Sequence, residues 1–274
     1  MTTTTATTAP VSLELREDAP RPISDAVTMA WRNLLNIRRN PQLLVFATIQ
    51  PVIFVLMFRY VFGGAIAATW QGKPVPYVDF LMPGIFVQTV TFGALTTGVG
   101  LAEDLGKGLI DRFRSLPIAR SAVLVGRTWA DLVRNLFVVV LMAVVGFLVG
   151  WRIDTNVFGL LAALALVLAF AYSLSWVFAI VGLTASNAET AQAASFPILA
   201  PLVFASSAFV PLSSMPGWLQ VFAAHQPVTA VCNAARALTL GGPTLSYVLQ
   251  AVAWIAGIIV LCAPLAVRRY RRAA

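Results

Sequence analysis

Six stretches of apolar residues, divided by short polar links, decide what this chain can fold into. They run approximately from Leu43 to Phe62, Phe80 to Leu101, Trp129 to Gly150, Val157 to Leu183, Ala193 to Leu212 and Tyr247 to Val267. Crossing a hydrocarbon core of about 30 Å takes roughly 20 residues as a helix, and only a helix or a closed barrel satisfies its own backbone there. The expectation is an all-α, polytopic membrane protein with six transmembrane helices. Composition excludes the alternative of a soluble core: among 274 residues, 59% are hydrophobic and 11% charged, and the mean hydropathy is +0.82. Pro51, Pro197 and Pro201 lie inside blocks and are expected to kink their helices, as membrane helices tolerate.

The basic residues orient the chain. Of 19 Lys and Arg, five precede the first block, six lie in or border the link from Ala102 to Arg134, and four follow the last block. Arg59, Lys73, Arg152 and Arg236 alone fall on the opposite side. The positive-inside rule converts that asymmetry into a multi-pass protein of the cell membrane with both termini cytoplasmic. Residues 1–22, opening with MTTTTATTAP, are polar and low in complexity, read as a disordered cytoplasmic tail without a cleavable signal peptide. From Ile23 to Asn40, apolar residues recur at three- and four-residue steps, with Arg38 and Arg39 at the end. An amphipathic helix on the membrane surface is expected there.

Outside the membrane, the stretch Gly63 to Val78 carries Trp70 and Tyr77, suited to an interfacial belt. Ser213 to Gly242 is too long for a turn and too apolar for free water. It predicts an interfacial or re-entrant helical hairpin, with Leu219, Phe222 and Ala223 in one helix, Val231, Ala234, Ala235 and Leu238 in the other, and a break at Pro227.

Signals for catalysis are weak. A single histidine, His225, excludes a His cluster, and Cys232 and Cys262 have no metal-site or disulfide spacing, so no catalytic and no metal-ligating residue is assigned. GLAEDLGKG from Gly100 superficially suggests a phosphate loop, but Gly108 replaces the magnesium-binding hydroxyl and Glu103 and Asp104 would repel phosphates. Asp79, Asp131, Asp154 and Glu189 fall at or near block ends, which disfavours an ion-driven mechanism. Gln50, Gln88, Thr89 and Thr91 are candidates to line a path for an amphipathic substrate, against the plainer reading of interhelical hydrogen bonds.

The informative link is Ala102 to Gly126. Glu103, Asp104, Asp111, Arg112, Arg114 and Arg120 supply charge, and Leu105, Leu109, Phe113 and Leu116 recur at helical spacing before Pro117. A short amphipathic cytoplasmic helix fits, charged toward a soluble partner and apolar toward the bundle.

This order of parts, with Asp111-Arg112-Phe113-Arg114-Ser115-Leu116-Pro117-Ile118-Ala119-Arg120 at its centre, resembles the ABC type-2 exporter permeases, most nearly the daunorubicin-resistance-like branch. The resemblance covers residues 23–274 and implies one transmembrane domain. It gives Glu103, Asp104, Asp111, Arg112, Phe113, Arg114, Leu116, Pro117 and Arg120 to a coupling helix that seats in an ATPase subunit. It makes the Ile23–Arg39 helix, with Trp31, Arg32, Arg38 and Arg39, a connector beside it. It also implies a second permease copy, two ATPase copies, and ATP with magnesium bound by that partner rather than by this chain. The function implied is export of drugs, antibiotics or lipids by a subunit that is not itself an enzyme. Its alternatives are a permease for lipid-linked polysaccharide and, from a different class, an intramembrane lipid-modifying enzyme, which would want clustered His, Asp or Glu at one membrane depth.

Overall fold

The computed structural model describes residues 41–108 and 120–273, with Thr28, Trp31 and Leu35 as isolated helical positions. Among the described residues the protein is helical apart from one two-stranded hairpin. Helix α1 is Pro41–Leu56, continued by a π-helical turn Met57–Phe62. Strands β1 (Thr69–Trp70) and β2 (Lys73–Pro74) follow, then α2 (Tyr77–Gly106), α3 (Arg120–Val149), α4 (Val157–Thr184) and α5 (Ala188–Phe204). After a single 3₁₀ turn come α6 (Gly217–Ala224), α7 (Pro227–Leu240) and α8 (Thr244–Ala273).

Local chemistry sets these limits. Asn156 and Asn187 cap α4 and α5, their side chains accepting from the amides of Gly159 and Thr190. Pro227 opens α7 where its missing N–H costs nothing, and Gly241, at φ 85°, closes it. The hairpin turns on Gln71 and Gly72, both at positive φ as a type I′ turn requires.

Four described helices are long and apolar enough to cross a membrane: Tyr77–Gly106, Leu124–Val149, Val157–Thr184 and Thr244–Tyr270. Ala47–Phe62 is shorter. The fifth apolar block departs from the sequence reading, since its helix starts at Ala188 and stops at Phe204, after 17 residues, instead of reaching Leu212. The two short helices expected between Ser213 and Gly242 are present as α6 and α7.

Helix α2 is the axis of the bundle, with 72% of its apolar window buried against 33%, 44% and 11% for α3, α4 and α8. It packs on α1, α3, α4, α5 and α7. Its tightest crossing is with α4, where Gly98 and Gly182 bring the two backbones together and a Cβ on either would overlap the other helix. At the α2 C-terminal end, Leu101, Leu124, Trp176, Ala179, Leu183, Ala266 and Tyr270 close the packing of α2, α3, α4 and α8. At the opposite end, the β-hairpin is tied to α7 and α8: the Trp70 indole donates to the Gly241 carbonyl at 2.8 Å, and its ring lies 5.6 Å from that of Tyr247 at a tilt of 39°.

Candidate coupling site and the helix break opposite it

On α2, Gly93, Thr97, Gly100 and Asp104 recur at steps of four, three and four residues and so share one face. Facing them on α3 stand Arg127, Asp131, Arg134 and Asn135, and the two rows interlock into a polar seam. The Thr97 hydroxyl donates to Asp131 Oδ2 at 2.6 Å. Arg134 Nη2 donates to the Gly93 carbonyl at 2.7 Å, with its Nη1 3.5 Å from Asp131 Oδ1. Nearer the α2 C-terminus, Arg127 Nη1 donates to Asp104 Oδ2 at 2.7 Å. The glycines make this possible: a Cβ at Gly100 would collide with the Arg127 guanidinium, and one at Gly93 with the Asn135 amide. Exposure grades along the seam, from 11% and 8% at Arg134 and Asp131 to 21% and 18% at Arg127 and Asp104, so the inner pair is the more strongly felt. Beyond it, Lys107 and Glu103 form an exposed pair, and the Glu103 carboxylate raises the lysine's pKa.

Asp131 stands near the start of the apolar part of α3, as the sequence reading has it, but it is buried between the helices rather than turned to water. The sequence signal that was passed over is the matched heptad-like spacing of the polar residues on α2 and α3.

The expected coupling residues divide. Glu103 and Asp104 belong to the last turns of α2, and Asp104 is turned toward Arg127. Arg120 is the first residue of α3. Asp111, Arg112, Phe113, Arg114, Leu116 and Pro117 lie outside the described residues, as do Arg32, Arg38 and Arg39 of the connector; Trp31 is helical and exposed. The expected path residues are not alike. Gln50 is exposed on α1, whereas Gln88, Thr89 and Thr91 are buried in α2. Thr91 bonds the Val87 carbonyl of its own helix, while Gln88 Oε1 and Thr89 Oγ1 have no hydrogen-bond partner among the described residues.

At the hairpin end a second polar cluster holds the chain where α5 breaks. The Ala205 carbonyl accepts from Gln226 Nε2, and the Ser207 amide donates to Thr229 Oγ1. The Phe209 carbonyl accepts from the Tyr77 hydroxyl at 2.8 Å, which buries Tyr77 and takes it away from the interfacial belt expected of it. Arg236, fully buried, sits at the centre. Its Nε donates to the Phe80 carbonyl at 2.9 Å, its Nη1 to Ser207 Oγ and Asn233 Oδ1, and its Nη2 to the Ser207 and Ala208 carbonyls. The guanidinium carbon also lies 3.6 Å from the centre of the Phe80 ring.

Over residues 25–240 the sequence matches the family described as "ABC-2 type transporter". The chain belongs to the ABC-2 type transporter family. It is 35% identical to a daunorubicin resistance ABC transporter permease protein of Streptomyces coeruleorubidus, over 98% of this chain and 96% of that one. It is 30% identical to a Mycobacterium tuberculosis protein named as a probable doxorubicin resistance ABC transporter permease, over 97% and 95%. A further doxorubicin resistance ABC transporter permease of that organism is 27% identical over 69% of this chain and 66% of its own length. As a member of the ABC-2 family this is an integral membrane transport permease, and permeases of the family work with an ABC ATPase partner.

Proposed function

We propose that this chain is the permease subunit of an ATP-driven exporter that moves hydrophobic or amphipathic compounds out of the cytoplasm or inner leaflet. The observation that carries the reading is the polar seam: the two helices that flank residues 107–119 are bonded to each other by charge-assisted contacts along their adjoining ends. A push on the intervening segment would therefore move α2 and α3 together, and α2 would carry α4 with it through the Gly98–Gly182 crossing. Relatives named for daunorubicin and doxorubicin resistance support a drug-like cargo.

On this reading the domain spans residues 23–274 after a tail of 1–22, and there are six crossings: α1 with its π turn, α2, α3, α4, α5 with the chain after it, and α8. Both termini are cytoplasmic, the Glu103–Arg120 stretch docks on a separate ATPase, the Ile23–Arg39 helix lies beside it, and α6–α7 re-enter from outside. Two permease copies and two ATPase copies make the working assembly, with ATP and magnesium in the partner. Gln88 and Thr89 remain the best candidates for contact with cargo, because Gln88 Oε1 and Thr89 Oγ1 are buried without a partner among the described residues. Gln50 and Thr91 have less to offer, being exposed and internally bonded respectively.

Co-purification and coupled transport test the proposal. The wild-type chain should retain a nucleotide-binding subunit and move a fluorescent amphipathic drug into inverted vesicles on ATP addition. Arg112→Glu with Arg120→Glu should abolish both while the permease still inserts. Retention of the ATPase and of transport in that double variant would refute the assignment of the coupling segment.

A further inference from the structure

The break after α5 is held in an unusual way. The Ser207 and Ala208 carbonyls have no backbone donor among the described residues and depend on Arg236. Arg236 in turn makes five hydrogen bonds, as many as a guanidinium has N–H groups, and none of them goes to a carboxylate. Gly84 of α2 lies directly under Ala208, where a Cβ would overlap its backbone. The unwound segment, α7 and the adjoining end of α2 are thus fastened into one body. The element that follows it is held far less firmly. Helix α6 buries Ala223 alone, whereas α5 packs on α2 and α4 through Ala191, Ser195, Leu199 and Val203.

We infer that the Arg236 clasp is the fixed seat on which the outer gate of the exporter turns, α6 being the part that moves, and that Arg236 is the positioning residue of that gate. The inference rests on the exporter reading for its motion, but not for its resting geometry. Releasing the guanidinium would forfeit all five contacts together inside a dry interior, where no water replaces them. Swinging α6 breaks almost no buried contact. Outward opening therefore proceeds around residues 205–209 rather than through them.

Two buried reporters separate the moving part from the fixed one. Cys232 lies one turn before Arg236 on α7 and is fully buried; Ala223 on α6 is equally buried. In proteoliposomes of the permease with its ATPase, a membrane-impermeant maleimide is applied to the hairpin side. Cys262→Ser leaves Cys232 as the sole thiol, and Cys232→Ser with Ala223→Cys moves the thiol to α6. With ATP and drug present, Ala223→Cys should react about tenfold faster than at rest, and Cys232 should stay protected. Acceleration at Cys232 matching that at Ala223→Cys, or no acceleration at either during measured ATP turnover, would overturn the fixed-seat inference. At rest and without ATP, Arg236→Met should unmask Cys232, with Arg236→Lys carrying the same test if the methionine variant does not assemble. Protection persisting in both variants would show that Arg236 does not hold the clasp. The resting experiment needs neither ATP nor cargo, so failure of the ATPase to associate would count against the exporter reading and leave the clasp result standing.

Discussion

The two polar clusters of this bundle solve opposite problems with the same residue type. In the seam between α2 and α3, Arg127 and Arg134 each have an acid within reach, at Asp104 and Asp131, and keep 21% and 11% of the side chain accessible. In the clasp, Arg236 is wholly buried and its acceptors are backbone carbonyls, a hydroxyl and an amide. In the seam each arginine has an acid to hold its charge, and the cross-helix bonds Thr97–Asp131, Arg134–Gly93 and Arg127–Asp104 tie α2 to α3 so that a push on one reaches the other. In the clasp the carbonyls of a broken helix have the guanidinium instead, and nothing else in lipid would satisfy them. The seam is built to transmit displacement and the clasp to resist it.

Compensating substitutions expose this difference most strongly. Asp131→Leu strands the Arg134 guanidinium in the interior and should cost about 3 kcal/mol or more, read as a fall in melting temperature in detergent. Asp131→Leu with Arg134→Leu should recover most of that loss, since the Gly93 carbonyl freed by the second change still has its helical donor and the site becomes uniformly apolar. Arg236→Leu should cost at least as much, and no single partner change should rescue it, because the groups left unpaired belong to the backbone at Ser207 and Ala208. Failure of the double seam variant to recover, or rescue of Arg236→Leu by Asn233→Leu, would erase the distinction.

Much of this was legible in the sequence and the remainder was hidden for identifiable reasons. Apolar run length marked out α2, α3, α4 and α8, because a spanning helix must satisfy its backbone internally whatever its neighbours do. The paired helices α6 and α7 were visible through Pro227 and the amphipathic residues around it. The early end of α5 was not, since Phe204 to Leu212 is as apolar as a helix would be, and the break depends on an arginine 32 positions beyond Phe204. Arg236 itself read as one of four basic residues on the sparse side, a charge to be counted for orientation. Asp131 was read as a residue near a span end, and hydropathy alone could not show that it is buried against Thr97 of α2. What hydropathy discards, the spacing of polar residues across two helices retains: Gly93, Thr97, Gly100 and Asp104 against Arg127, Asp131 and Arg134.

A smaller effect is expected at the partly exposed rung. Exchanging Asp104→Arg with Arg127→Asp keeps a pair but moves the bulky guanidinium onto α2 and away from the recess that Gly100 provides. Each single reversal should lower stability by about 1 kcal/mol, and the swap should recover only part of it. The more telling measurement is coupling. If the seam transmits displacement, the swap should reduce drug moved per ATP hydrolysed more than it reduces hydrolysis itself.

The exposed Glu103–Lys107 pair marks where the seam's influence should end. Both side chains are more than half accessible, at 52% and 62%, and water competes for each partner. Although the carboxylate raises the lysine's pKa, that only keeps the ammonium charged to higher pH and adds no contact with α3. Glu103→Gln and Lys107→Gln should leave the melting temperature unchanged within error. Their effect on transport then discriminates between two uses of the same turn of helix. If Glu103 serves only to finish α2, coupling is unaffected; if it meets the ATPase, Glu103→Gln weakens subunit association, and Lys107→Gln, by freeing the carboxylate, strengthens it. Equal loss of association in the two variants would mean that the pair itself, rather than the carboxylate, is what the partner requires.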